Sequence, residues 1–341
     1  MAPRILVLGA GINGLSSAVC VQQACPLAQV QLVAEHFSPD TTSDGAGGSW
    51  GPYLLGDTDQ ELILRLSEIT YNHLLRLANS SLAGVVKAQK ISGYHLYRNL
   101  PAGRQFWRHL VAGFRQLTDE EMKQYPLFDS GTFYTAVTVD VTPYLSWLMK
   151  RFKACGGTTR QARVDNIEEV AADFDIVINC TGLASRRLFN DDDVFPIRGQ
   201  VWKKVKKPNP AVLFCFLPAL TNGSRVEYLT VGGTSQVGDW NTRVDPADSA
   251  AIWNKAVTIF PMLKHATPLE VWAGLRPARK SLRLEMQAIE THGRSIKVIH
   301  NYGHSGSGIT LHWGCALEVT AMVLEALGTE KEHIKRVVSR L

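Results

Sequence analysis

The fold of this chain is decided near its beginning by the stretch Arg4-Ile5-Leu6-Val7-Leu8-Gly9-Ala10-Gly11-Ile12-Asn13-Gly14. The apolar run Ile5 to Leu8 predicts a buried strand, and the glycines predict a tight turn. The apolar segment after Gly14 predicts a helix, and a second apolar run, 30–34, predicts another strand that ends at Glu35. This order of elements is typical of a βαβ unit with a glycine-rich first turn.

The glycine spacing indicates a dinucleotide site. Gly9 permits the tight turn, Gly11 lets backbone N–H groups approach a pyrophosphate, and Gly14 allows close packing of the helix. Glu35 lies about twenty residues further on, where an acid accepts hydrogen bonds from a ribose. The predicted cofactor-binding turn comprises Gly9, Ala10, Gly11, Ile12, Asn13 and Gly14.

Bulk composition excludes several other classes. With 341 residues, the chain exceeds the usual size of one core, so two domains are expected. The net charge of +5 is spread along the chain, which argues against nucleic acid as a partner, and no apolar run is long enough to span a membrane. Its six cysteines show no metal-ligand spacing, so no metal site is predicted.

Three later glycine-containing stretches extend the predicted nucleotide site. The loop 45–49 follows the proposed ribose acid, and the segment 174–182 predicts a buried parallel strand whose end meets the cofactor. The stretch 301–310 places glycines before an apolar helix predicted at 312–327, where free N–H groups would contact an anion or a flat ring.

The rest of the chain predicts a second domain of mixed structure. Helical periodicity covers 60–78 and 143–153, and strand patterns cover 92–97 and 131–139. Alternation at 199–205, 212–217 and 227–231 predicts an antiparallel sheet with a hairpin turn at Thr221 to Gly223. Another helix is predicted at 247–260 and a strand at 271–276.

Taken in order, these segments resemble one known family, the D-amino-acid oxidases and D-aspartate oxidases, which are FAD enzymes. The resemblance covers nearly the whole chain. It rests on the glycine turn and on Phe37-Ser38-Pro39-Asp40-Thr41-Thr42-Ser43-Asp44, Asn179-Cys180-Thr181-Gly182, Arg198-Gly199-Gln200-Val201, Gly232-Gly233-Thr234, Gly274-Leu275-Arg276-Pro277 and His300-Asn301-Tyr302-Gly303-His304.

The resemblance implies an α/β fold, a Rossmann-type FAD-binding domain with an interleaved α+β substrate domain built on an antiparallel sheet. The FAD-binding segments would be 1–50, 141–195 and 271–341, and the substrate segments 51–140 and 196–270. It implies FAD contacts by Glu35 and His36, by Thr41, Thr42 and Ser43, by Gly48 and Ser49, by Val164 and Thr181, and by Ser305, Gly306, Gly308, Ile309 and Thr310. His36 stands where an arginine is expected.

The chemistry implied is oxidative deamination of a D-amino acid. A hydride passes from the substrate Cα to flavin N5, O2 reoxidises the flavin to give H2O2, and the imino acid hydrolyses to a 2-oxo acid and ammonia. Arg276 matches the arginine that pairs with the substrate carboxylate, and Gly306 matches the glycine whose carbonyl receives the amino group.

Departures from the family leave the substrate open. The strand 213–217 lacks the usual tyrosines, so Tyr53 or another group would supply a hydrogen bond to the carboxylate. Ser235 replaces an arginine usual in D-aspartate oxidases, whereas other segments resemble that branch; Arg225, Arg279 and Lys280 are candidate second cations. We expect acidic D-amino acids, with neutral D-amino acids, a glycine or sarcosine oxidase, or a nucleotide-binding module without turnover as alternatives. Oligomeric state is not predicted.

The final residues predict a destination. Ser339-Arg340-Leu341 resembles the Ser-Lys-Leu type of peroxisomal address, with arginine retaining the charge of lysine. The sequence therefore predicts import into the peroxisomal matrix through the receptor that binds this tripeptide.

Overall fold

A computed structural model of the chain describes residues 2–99, 105–206, 214–216, 228–291 and 293–341, with 214–216 and Tyr228 described by backbone alone. The predicted hairpin turn Thr221 to Gly223 and the candidate cation Arg225 lie outside these residues.

Strands and helices alternate along the described chain. The strands are β1 (Arg4–Leu8), β2 (Gln29–Ala34), β3 (Ala88–Tyr97), β4 (Ala112–Gln116), β5 (Ser130–Val139), β6 (Thr158–Gln161), β7 (Ile176–Asn179), β8 (Val194–Lys206), β9 (Phe214–Phe216), β10 (Tyr228–Val231), β11 (Gln236–Val237), β12 (Thr267–Thr291) and β13 (Arg294–His304). The α-helices are α1 (Ile12–Ala24), α2 (Gln60–Ala78), α3 (Ala83–Val86), α4 (Asp119–Met122), α5 (Val141–Ala154), α6 (Glu168–Ala171), α7 (Ser185–Leu188), α8 (Pro246–Ile259), α9 (Gly308–Ala326) and α10 (Lys331–Val338). Within the ranges given above, none of the helices is both long and apolar enough to cross a bilayer.

The larger sheet combines a parallel half with an antiparallel half. Its strands lie in the order β10-β8-β12-β13-β7-β1-β2-β6, with β11 added beside β8. From β13 to β6 the neighbours are parallel, whereas β12 pairs antiparallel with both β13 and β8. One strand, β12, thus joins the two halves into a continuous sheet. The domain boundaries drawn from the sequence stay a prediction.

The smaller sheet has the order β4-β5-β3-β9 in the described chain. Its strand β9 pairs in parallel with β3, through Gly93 and Phe214, Tyr94 and Cys215, and His95 and Phe216. For the described residues 214–216, the prediction of an antiparallel arrangement was therefore wrong. Side-chain alternation identifies a strand but carries no information about the direction of its partner.

The parallel half forms because its strands are apolar on both faces. The side chains of β1 from Ile5 to Leu8 are at most 1% exposed. Helix α1 follows β1 and precedes β2 along the chain, and it packs against α9. Buried parallel strands need such continuous apolar runs because helices cover both faces of the sheet. This arrangement confirms the predicted βαβ unit.

Helix α2 shows how local chemistry sets the bounds of an element. Its N-cap Asp59 accepts a hydrogen bond from the backbone N–H of Leu62, Glu61 lies in the first turn and Arg76 in the last. The observed range, Gln60–Ala78, confirms the predicted helix. Helix α9, by contrast, begins at Gly308, one turn earlier than predicted, and its N-cap Ser307 makes no side-chain capping bond.

A buried carboxylate fixes β12 against β13. Asp191 accepts hydrogen bonds from Arg279 Nε at 2.9 Å and from Tyr302 Oη at 2.6 Å, and Arg283 Nη1 lies 3.5 Å away. The Asp191 side chain is 5% exposed, so these charges are largely shielded from water. The cluster holds the strand that carries Arg276 next to the strand that leads into α9.

We expect Asp191→Ala to lower the free energy of unfolding of the apoprotein by about 3 kcal/mol, because Arg279 and Arg283 would lose the buried carboxylate that balances their charge. The neighbouring Asp192, whose side chain is 91% exposed and pairs with Arg186, is the matched control. Asp192→Ala should cost less than about 1 kcal/mol. Urea unfolding followed by circular dichroism measures both, and equal losses would contradict the anchoring role.

Candidate active site

The glycine turn brings three backbone segments into direct contact. Gly9 has φ +98°, and a Cβ there would overlap the carbonyl oxygen of Cys180 at the end of β7. A Cβ at Gly14 would overlap the carbonyl oxygen of Gly9. The first turn of α1 therefore lies directly against the ends of β1 and β7, as predicted for Gly9 and Gly14.

The N-terminus of α1 is open toward the solvent side of this turn. Its N-cap is Gly11, which itself makes no side-chain capping bond, and the first turn has no acidic residue. The backbone N–H of Ile12 donates to Ser43 Oγ at 3.0 Å, which connects the turn to the loop after β2. Free N–H groups and a positive helix end form an anion site.

A first cavity, here called the glycine-loop cavity, lies along this turn. It brings together most of the residues predicted for the adenosine and phosphate part of FAD: Gly9, Ala10, Gly11, Ile12, Asn13, Glu35, His36, Thr41, Thr42, Ser43, Val164 and Thr181. Glu35 lies at the end of β2, half-exposed, 3.6 Å from Arg163 Nη1. An exposed carboxylate at this strand end is free to meet ribose hydroxyls.

A second cavity, the arginine cavity, contains the remaining predicted contacts. Its lining includes Gly48, Ser49, Tyr53, Arg276, Ser305, Gly306, Gly308 and Ile309. Both cavities are bordered by Ile12, Asn13, Thr42, Ser43, Pro277 and His304. The two cavities thus adjoin, so one extended ligand can pass from Glu35 to Arg276.

Two predicted residues do not line either cavity. Gly14 lies beneath the turn, where it permits packing. Thr310 is buried, and its hydroxyl accepts from the N–H of Gly51 at 3.1 Å and donates to the carbonyl of Gly51 at 2.9 Å. The same pattern occurs at Ser307, which bonds the N–H and the carbonyl of Tyr53 at 2.7 and 2.6 Å. Thr310 therefore contacts the loop that carries Tyr53 rather than the cavity.

Arg276 is a partly buried cation that lacks a counter-ion in the described chain. Its strand pairs with β8, and its guanidinium lies over Gly199, where a Cβ would overlap it. Nη1 donates to the carbonyl of Thr234 at 3.2 Å, and none of the described carboxylates forms an ion pair with it. Burial lowers the pKa of Arg276, yet a guanidinium remains charged in proteins. A guanidinium without a carboxylate partner can bind the carboxylate of a ligand through two parallel hydrogen bonds.

The candidate second cations are placed elsewhere or lie outside the described residues. Arg279 pairs with Asp191 and, at 3.4 Å, with Asp193, and Lys280 is exposed. Neither lines the arginine cavity. In the described part of its lining, Arg276 is the only lysine or arginine.

The residues around both cavities fit FAD. Three residues that line the arginine cavity carry a buried polar atom with no hydrogen-bond partner among the described residues: Asn13 Oδ1, Ser49 Oγ and His304 Nε2. Buried polar atoms are normally paired, so these atoms indicate a polar ligand between them. The open helix end at Gly11 suits a pyrophosphate, and Glu35 suits a ribose.

Sequence reasoning missed three residues of this site. Trp272 and Gly274 lie on the same face of β12 as Arg276, and the Trp272 indole covers the positions that Cβ atoms of Gly45 and Gly274 would take. The spacing of two residues along a strand is the signal that would have placed Trp272 beside Arg276. For His304 the sequence offers no such periodic signal.

We expect Gly14→Ala to weaken FAD binding at least about tenfold, because its Cβ would push α1 away from the turn. Gly84→Ala is the matched control, since a Cβ there has nothing within 4 Å. Titration of each apoprotein with FAD, followed by flavin fluorescence, gives the two dissociation constants. Native affinity in Gly14→Ala would show that close packing at this turn is not required.

The comparisons with known proteins agree with this geometry. The family model described as FAD dependent oxidoreductase matches residues 4–322. The chain is 37% identical over 332 residues to D-aspartate oxidase of Homo sapiens, covering 95% of both chains. It is 36% identical over 336 residues to D-amino acid oxidase of Dugesia ryukyuensis, covering 95% of this chain and 98% of that relative.

Among solved structures, glycine oxidase from Geobacillus kaustophilus superposes with a TM-score of 0.74 at 17% identity, over 97% of this chain and 96% of that one. This likeness confirms the predicted α/β fold class. Since the family model spans most of the sequence and these relatives match nearly end to end, the chain belongs to the FAD-dependent oxidoreductases, in the family of D-amino-acid and D-aspartate oxidases, and FAD is its cofactor.

Proposed function

We propose that this chain oxidises D-amino acids with O2 and water to 2-oxo acids, ammonia and H2O2. The partly buried Arg276 guanidinium, which has no described acidic partner and lies beside the FAD-binding turn, is the observation that carries the proposal. The names of the relatives, D-aspartate oxidase and D-amino acid oxidase, support the same substrate class.

The protein's part in this reaction is to orient the substrate. Two parallel N–H groups of Arg276 would hold the α-carboxylate in one plane, while the carbonyl of Gly306 would accept from the amino group. Tyr53, held at its backbone by Ser307, lines the same cavity. When bound, FAD supplies the acceptor for the hydride from Cα.

The lining agrees with a mechanism that needs no side-chain base. The described residues around the arginine cavity include no carboxylate and no lysine, and burial lowers the pKa of His304 to about 3. Hydride transfer from Cα requires alignment of the C–H bond rather than proton abstraction. The rate would then depend on positioning by Arg276 and Gly306.

For the substrate side chain, we propose acidic D-amino acids first. The identity of 37% to human D-aspartate oxidase supports this preference. A neutral substrate is the second candidate, because Arg276 is the only Lys or Arg in the described lining, beside Val201, Trp272 and Ile309. A second carboxylate would need a cation from outside the described residues, and Arg225 is available there.

We expect Arg276→Ala to lower kcat/KM for the best D-amino acid at least about 100-fold, because charge-assisted hydrogen bonds to the carboxylate are lost. Arg276→Lys should recover only part, since lysine cannot donate two parallel bonds. Lys280→Ala, an exposed cation on the same strand, is the control and should keep native activity. FAD absorbance confirms cofactor loading, and native turnover in Arg276→Ala would place the carboxylate elsewhere.

H2O2 release should rank D-aspartate and D-glutamate above D-alanine and D-proline, with no turnover of the L-enantiomers. Glycine and N-methylglycine belong in the same panel, because their oxidation would favour the alternative of a glycine or sarcosine oxidase. Arg225→Ala then tests the second cation: a selective loss for acidic substrates supports it. Dominant neutral substrates would reject the acidic preference, and silence with all D-amino acids would favour a binding module.

Peroxisomal import stays a prediction. Ser339 and Arg340 are exposed after α10, whereas Leu341 is half-buried against the main hydrophobic core. An import receptor would therefore have to draw Leu341 away from that contact.

A further inference from the structure

His304 ends β13 at the border between the two cavities. Its side chain is 2% exposed and lines both the glycine-loop cavity and the arginine cavity. Asn13, the second residue of α1, donates from Nδ2 to His304 Nδ1 at 3.2 Å. The imidazole is thus held by the cofactor-binding turn, across 291 positions of sequence.

The asparagine contact determines which ring nitrogen carries the proton. An amide N–H can only donate, so Nδ1 of His304 accepts and the proton of the neutral ring lies on Nε2. Burial lowers the pKa of His304 to about 3, so the ring is neutral at physiological pH. Nε2 is buried and has no acceptor among the residues that the structure describes. A buried donor without an acceptor is unfavourable unless a ligand completes it.

FAD has acceptors for such a donor along its centre. The glycine-loop cavity contains the Glu35 end and the turn for the phosphates, and the arginine cavity contains the substrate end. A residue on the border meets the part between them, where phosphate and ribityl oxygens occur. We infer that His304 is a positioning residue that donates from Nε2 to an oxygen of this central part of FAD and so contributes to cofactor affinity.

The chain contains a matched histidine that lacks only the cavity. His300, four residues earlier on β13, is fully buried, its Nδ1 accepts from Asn179 Nδ2 at 3.1 Å, and its Nε2 has no partner in the described part of the chain. Burial lowers its pKa to about 3 as well. His300 lines neither cavity and instead packs edge-on against the Phe189 and Tyr302 rings. Substitution of either histidine therefore removes a buried ring and an asparagine hydrogen bond, whereas only substitution of His304 can remove a contact with FAD.

The test compares FAD affinity and apoprotein melting temperature for His304→Leu, His304→Gln and His300→Leu. We expect His304→Leu to raise the FAD dissociation constant about tenfold, the effect of one lost hydrogen bond. His304→Gln keeps an N–H donor and should recover most of the affinity. His300→Leu should change the melting temperature while FAD affinity stays within about twofold of native.

Equal losses of FAD affinity in both leucine variants, or native affinity in His304→Leu, would overturn the assignment. If a leucine variant does not fold, the native protein gives a second readout. In ¹⁵N-histidine spectra of the apoprotein, the Nε2–H signal that disappears in His304→Gln should shift when FAD is added. An unshifted signal would also overturn the assignment. Neither readout needs a substrate, so the result is independent of the proposed reaction.

Discussion

The site depends on a close approach between backbones at the first turn. Gly9 lies against the carbonyl of Cys180, and Gly14 lies against the carbonyl of Gly9. With side chains at these positions, α1 would move outward, and its N-terminal N–H groups would leave the ends of β1 and β7. The position of the helix end, and with it the anion site, follows from three peptide groups in van der Waals contact.

Strand β12 connects the part of the sheet beside this turn with the part that carries Arg276. It pairs with β8 on one edge, where Gly199 leaves space for the Arg276 guanidinium, and with β13 on the other, which ends at His304. Arg276 and His304 therefore lie at fixed registers of one sheet, each lining the arginine cavity. Asp191 holds the same pair of strands from the side through Arg279 and Tyr302.

Features that depend on local periodicity were predictable from the sequence. The βαβ unit, the helix at 60–78 and the position of Glu35 follow from apolar spacing and glycine positions. Most residues that the resemblance assigned to FAD line the two cavities, although their roles stay predictions. The direction of β9 and the contact of the buried Thr310 hydroxyl with Gly51 depend on tertiary pairing, for which a single sequence has no signal. Likewise, Asn13 and His304 meet across most of the chain, and neither residue type indicates the other.

The order of strands in the larger sheet has a consequence for biosynthesis. β7 lies between β1 and β13, so its second edge gains a partner only when residues 294–304 have left the ribosome. Until then a nascent chain exposes an unpaired apolar strand edge, which is a site for aggregation and for chaperones. The part of the cavity wall that β13 forms is also absent until these residues have been translated. Cofactor capture thus requires a chain translated through residue 304, and chains terminated before that point are left as substrates for quality control.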